Sequence, residues 1–187
     1  MFNSENFNSI YHQYKVLVYN IALNYLQNIE DAEEITQDVF VQVHQSLAGF
    51  KSQSLFKTWI YRITINKSLD YIKHKKSKKR LYIFGQKTIS EQELAHVSTF
   101  EHPGIVLENK ENAEMLFSVI NQLTENQKTA FILSKLDGLS NPEIAEIMKL
   151  TISSVESLVF RAKQSLQEKL ALKFNEHRKK KQTTSSK

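Results

Sequence analysis

The 187-residue chain has no cysteine, two prolines, four glycines and one tryptophan. Without cysteine there is no disulfide, no thiol nucleophile and no thiolate-bound zinc, which is compatible with a reducing cytosol. So little glycine and proline disfavours a turn-rich β fold and favours helices. No apolar run approaches the ~20 residues that a membrane span needs. The opening MFNSENFNSIYHQY has neither a basic segment nor an unbroken apolar core, so it does not read as a signal peptide. A soluble cytoplasmic protein is expected. The six histidines (His12, His44, His74, His96, His102, His177) are scattered. With no HExxH pair and no Gly-rich phosphate loop, an enzyme is disfavoured, and no metal, cofactor or small-molecule substrate is expected.

What is present is sorted by charge. Residues 1–47 hold one basic and six acidic side chains, residues 48–90 eleven and one, residues 91–147 three and ten, and residues 148–187 ten and three. A modest net charge of +5 therefore hides two basic zones separated by an acidic one. A basic cluster releases the counterions condensed on nucleic acid, the usual origin of sequence-independent affinity. A single lysine run is as readily a solvated face. Two such zones, each beside an element able to read DNA, favour DNA.

Periodicity predicts helices. Phe7, Ile10, Tyr11, Tyr14, Leu17, Val18, Ile21, Ala22 and Tyr25 form one buried stripe. Asn28 can cap a second helix, with Asp31 near its positive end. Ala32, Ile35, Val39 and Val43 give that helix a core face, while Glu34, Gln37, Asp38 and Val41 fall elsewhere. After Gly49, a loop from Phe50 to Lys57 leads to a third helix from about Thr58. It is apolar around most of its girth (Trp59, Ile60, Ile63, Ile65, Leu69, Ile72) and keeps a polar stripe at Arg62, Asn66, Asp70 and Lys73 that opens into IKHKKSKKR.

From Ile83 to about Asn109 the pattern dissolves into a linker, and periodicity resumes at Ala113. Thr124 with Gln127, and Ser140 with Glu143, are capping boxes that open two helices, the first stopped by Asp137-Gly138. Ile144, Ala145, Met148, Leu150, Val155 and Leu158 have the spacing of a helix-turn-helix, with Lys149 where the turn usually has Gly. Val155 and Leu158 are expected to back the recognition helix. Ser153, Ser154, Glu156, Ser157, Phe160, Arg161 and Gln164 are expected to face outward, and such side chains can address base edges or phosphates. The tail RKKKQTTSSK reads as basic and disordered. The expectation is an all-α chain of two small helical domains: 1–82, a flexible linker 83–109, a helix-turn-helix domain 110–173 and a disordered tail 174–187.

In combination, DAEEITQDVF (31–40), FKTWIYRITIN (56–66) and LDGLSNPEIAEIMKLTISSVESLVFRAKQSL (136–166) closely resemble the extracytoplasmic-function sigma factors of bacterial RNA polymerase. The resemblance implies that Asp31, Glu34, Gln37, Asp38 and Val41 dock on the clamp helices of the largest polymerase subunit. It implies that Lys51, Ser54, Phe56, Trp59, Arg62, Asn66, Lys67, Asp70 and Lys73 capture and melt the −10 element, and that the seven outward residues from Ser153 to Gln164 read the −35 element. Implied partners are core RNA polymerase and promoter DNA, and the family admits a membrane-anchored anti-sigma factor. A base that leaves the stack is held by aromatic and polar contacts. Trp59, at the start of a buried helix, reads first as core, which leaves Phe56 on the preceding loop as the stacking candidate. Glu156 stands where relatives often carry Lys or Arg, so it either accepts from a cytosine amino group or lies off the groove. The rival reading is a stand-alone helix-turn-helix regulator, which has no need of the acidic second helix.

Overall fold

The computed structural model describes residues 4–50, 55–83 and 110–184, and the chain divides into two compact units, 1–103 and 104–187. Of the expected linker, 83–109, Ile83 is the last residue of α3 and the rest lies outside the described residues, as do the candidates Lys51 and Ser54. Among the described residues there is helix and no strand.

The first unit is a three-helix bundle of α1 (Ser4–Leu26), α2 (Ile29–Ser46) and α3 (Phe56–Ile83), with a 3₁₀ turn over Leu47–Gly49. Each helix packs on the other two. Gln27 takes a left-handed conformation (φ 58°) that reverses the chain after α1. The Asn28 side chain then accepts the Asp31 N–H at 2.8 Å and caps α2 as expected. Val18, Ala22, Ala32, Ile35, Val39, Val43, Ile60 and Ile63 form the core. Each of the Val and Ile side chains among them contributes about 1.5–3 kcal/mol through burial. α3 buries the small hydroxyl residues Thr58, Thr64 and Ser68. Thr64 and Ser68 donate to the carbonyls four residues back, Ile60 and Thr64, so polar atoms reach the interior already satisfied.

The second unit contains α4 (Lys110–Ile120), α5 (Glu125–Lys135), α6 (Asn141–Met148) and α7 (Ile152–Thr184). Thr124 and Gln127 make the expected reciprocal cap on α5. On α6, the Glu143 carboxylate accepts from both the N–H and the hydroxyl of Ser140. α5 and α6 each end with a residue of positive φ just beyond the helix. The N–H of Leu139 reaches the Leu133 carbonyl across Gly138 (φ 69°), and the N–H of Leu150 reaches Ala145 across Lys149 (φ 56°). The α6 end is a Schellman motif, and both ends pass through the left-handed region, which glycine adopts without steric cost and lysine does not.

Two expectations are corrected here. The buried back of α7 is Val155, Val159, Ala162 and Leu166, in steps of four, three and four, while Leu158 is only half-buried and Leu150 is exposed. The tail is helical as far as Thr184, since no Gly or Pro interrupts α7. Just before the tail, α7 is tied back: Lys169 Nζ donates to the Gln122 carbonyl at 3.3 Å and Lys173 Nζ to the Ser118 hydroxyl. The Lys169 contact places a cation at the negative end of α4.

Candidate protein-binding and nucleic-acid surfaces

α2 keeps Ala32, Ile35, Val39, Phe40 and Val43 in the core, so Glu34, Gln37, Asp38 and Val41 emerge into solvent. Val41 is an apolar side chain left 56 % exposed among them. Beside it a shallow groove of about 430 Å³ opens between α1 and α2, lined by Phe7, Tyr11, Gln37, Phe40, Val41 and His44. The groove walls are aromatic: Tyr11 packs on Phe40 at 4.8 Å and Phe7 on His44 at 5.0 Å. Sequence reading assigns Tyr11 wholly to the core stripe and leaves His44 without a role. Their signal was that both fall at the edge of the apolar stripes of α1 and α2.

Asp31 differs from its neighbours on α2. Its side chain is only 14 % exposed, and it accepts from the Tyr71 hydroxyl and from Lys75 Nζ, both at 2.6 Å. Burial, this hydrogen bond and the charges of Asp31 and Glu34 all push the Tyr71 hydroxyl pKa up, so it remains a donor. Asp31 thus fastens α2 to α3. Asp38, further along α2, lies 3.8 Å from Lys67 on α3 with both side chains substantially exposed.

On α3 the polar stripe emerges as expected: Asn66, Asp70 and Lys73 are exposed, and Arg62 and Lys67 are half-exposed. Asp70 pairs with Lys73 at 3.9 Å. At the head of the helix, Phe56 is the first residue of α3 rather than part of the preceding loop. It joins a four-ring cluster, with centroids 5.5 Å from Tyr14, 5.2 Å from Phe50 and 5.3 Å from Trp59. Trp59 also meets Phe50 at 4.9 Å. Both Phe56 and Trp59 are half-buried, so each ring is packed in the cluster and keeps part of its surface in solvent.

α7 presents Ser153, Ser154, Glu156, Ser157, Phe160, Arg161 and Gln164 to solvent, with Phe160 68 % exposed. Some of these are engaged locally. The Ser154 N–H and hydroxyl both meet the Thr151 hydroxyl, which caps the helix. Glu156 accepts from the Asn141 amide at 3.4 Å, and the Gln164 amide donates to Glu168. Sequence reading missed Ile152, an apolar side chain 47 % exposed at the first residue of α7.

Three surfaces in two units can therefore bind: an acidic and apolar one on α2, an aromatic and polar one on α3, and an outward helix face in a helix-turn-helix. Comparison with known proteins decides what kind of chain carries them. Residues 10–78 match Sigma-70 region 2, and residues 113–166 match Sigma-70, region 4. The chain belongs to the extracytoplasmic-function sigma factors. It is 28 % identical over 174 residues to the ECF RNA polymerase sigma-E factor of Haemophilus influenzae, covering 88 % of this chain and 87 % of that one. It is 27 % identical to the ECF RNA polymerase sigma factor SigW of Bacillus subtilis, covering 84 % of each. The fold is similar to that of the sigma factor RpoE of Bartonella quintana, solved with the anti-sigma factor NepR, at a TM-score of 0.63 and 22 % identity over 89 % of this chain and 98 % of that one. As a sigma factor, the chain works with RNA polymerase to direct transcription from promoters. No helix among the described residues is long and apolar enough to cross a membrane.

Proposed function

We propose that the three surfaces divide the work of promoter-specific initiation. Glu34, Gln37, Asp38 and Val41 dock core RNA polymerase, and the groove between α1 and α2 seats an apolar side chain of that partner. Asp31 serves this surface by anchoring the helix that carries it. Phe56 and Trp59, with Arg62, Asn66, Lys67, Asp70 and Lys73 and the preceding Lys51 and Ser54, take the opened −10 strand. Partly exposed aromatic rings and a basic stripe suit a base out of the stack and its phosphates. Ser153, Ser154, Glu156, Ser157, Phe160, Arg161 and Gln164 read the −35 element from the major groove. The chain acts in the cytoplasm, carries no catalysis of its own and is open to capture by an anti-sigma factor.

The observation that carries this reading is the adjacency, in one bundle, of a solvent-facing acidic and apolar helix and an aromatic and basic one. DNA needs only the second. Binding of labelled chain to core polymerase without DNA tests it. The variant Gln37→Ala with Asp38→Lys should bind core polymerase far more weakly than the parent while helix content stays the same. Equal affinity for both would remove α2 as the docking surface.

A further inference from the structure

The acidic residues of α2 do not all face solvent; they form half of a ladder. Asp31, Glu34 and Asp38 recur at steps of three and four along α2, and Lys67, Tyr71 and Lys75 at steps of four along α3. The rungs run antiparallel: Asp31 meets Tyr71 and Lys75, and Asp38 meets Lys67. The two rungs differ in kind. The first is half-buried, made of two contacts at 2.6 Å, and holds the helices in register. The second is a single pair at 3.8 Å with side chains 35 % and 54 % exposed. A pair so open and so long is weak and exchanges readily with other charges.

We infer that the Asp38–Lys67 pair is an exchangeable mask linking the two binding surfaces. This rests on the assignment of α2 to polymerase and of α3 to DNA. In the free chain, the Asp38 carboxylate offsets the Lys67 ammonium. A cationic side chain of the polymerase that takes Asp38 leaves Lys67 to a DNA phosphate. The Asp31 rung keeps α2 and α3 in place, so the exchange needs only side-chain movement. Linkage makes the effect reciprocal: DNA on Lys67 leaves Asp38 to the polymerase, so each partner strengthens the other.

The test uses the full-length chain and a fluorescein-labelled duplex with a short unpaired bubble, read by anisotropy across a series of KCl concentrations. Asp38→Asn keeps the side chain's shape and removes its charge. It should bind the probe up to about five-fold tighter than the parent, the reach of an exposed ion pair. The slope of log affinity against log salt should steepen by about 0.9, one further phosphate neutralised. In a Lys67→Gln background the same change should have almost no effect. No gain from Asp38→Asn, or an equal gain in both backgrounds, would overturn the mask. Lys73→Gln with Lys76→Gln checks the underlying assignment: if it leaves probe binding unchanged, α3 is not the DNA face and both readings fall. If it weakens binding while the Asp38→Asn gain survives in Lys67→Gln, the mask alone is wrong.

Discussion

Removing the Asp31 carboxylate should loosen the first bundle before it affects anything else. Two contacts are lost in Asp31→Ala, from the Tyr71 hydroxyl and from the Lys75 ammonium, both at 2.6 Å to a side chain 14 % exposed. A hydrogen bond to a charged partner is worth about 1.5–3 kcal/mol when embedded. Lys75 is 29 % exposed and can swing its ammonium to water along its apolar stem, which lessens its share. An acid near the start of α2 adds roughly 0.3–1 kcal/mol through the helix dipole. The sum is a loss of about 2–4 kcal/mol. Asp31→Asn keeps an acceptor for Tyr71 and should lose only about half as much. The assay is convenient because the chain's single tryptophan, Trp59, sits in this bundle. Urea unfolding followed by Trp59 fluorescence reports this bundle and leaves the second unit out. An unchanged midpoint in Asp31→Ala would refute the reasoning, and would mean that the carboxylate stands in solvent and is available to polymerase like Glu34.

Other consequences can be measured separately. Tyr71→Phe should destabilise the same bundle by about 1.5–3 kcal/mol, the range for a hydrogen bond to a charged partner. Because the Tyr71 pKa is raised, the parent should also lose stability as pH rises above the usual tyrosine value of about 10, a loss that shrinks in Tyr71→Phe and is read by the same fluorescence titration. Phe56→Leu retains most of the packing in the ring cluster and removes the aromatic face. It should reduce permanganate-detected strand opening on duplex promoter by about 1–3 kcal/mol of stacking, with less effect on a pre-melted bubble; equal opening by parent and variant would leave Phe56 a packing residue. Lys149→Gly should stabilise the second unit by about 1 kcal/mol by relieving the left-handed turn, visible as a higher melting temperature. Arg161→Ala should weaken transcription across a randomised −35 library without changing its preferences, whereas Glu156→Ala should change which base is preferred, by roughly 1–3 kcal/mol.

Features that depend on neighbouring residues could be read from the chain. Asn28 over Asp31, Thr124 with Gln127 and Ser140 with Glu143 are local capping chemistry, and all three mark helix starts in the structure. The polar stripe of α3 and the outward face of α7 follow from helical phase. What could not be read depends on distant partners or on one residue of phase. Asp31 sits on the acidic helix like Glu34, and only a partner 40 residues away turns it into a fastening. Adjacent Leu158 and Val159 are both apolar, so spacing alone does not say which one backs α7. Phe56 and Trp59 pose a similar difficulty, because aromatic character does not reveal that both would be only half-buried in one ring cluster. The groove between α1 and α2 belongs to two stripes at once, and its aromatic walls become visible only when the helices are brought together.

The central claim is that this chain makes core RNA polymerase choose promoters. It is tested most directly by run-off transcription of genomic fragments with purified bacterial core polymerase, with and without the chain, followed by sequencing of transcript 5′ ends. New start sites should appear only when the chain is added, and they should share one motif near −10 and another near −35. Start sites unchanged by the chain, together with a tight sequence-specific footprint made by the chain alone, would contradict it.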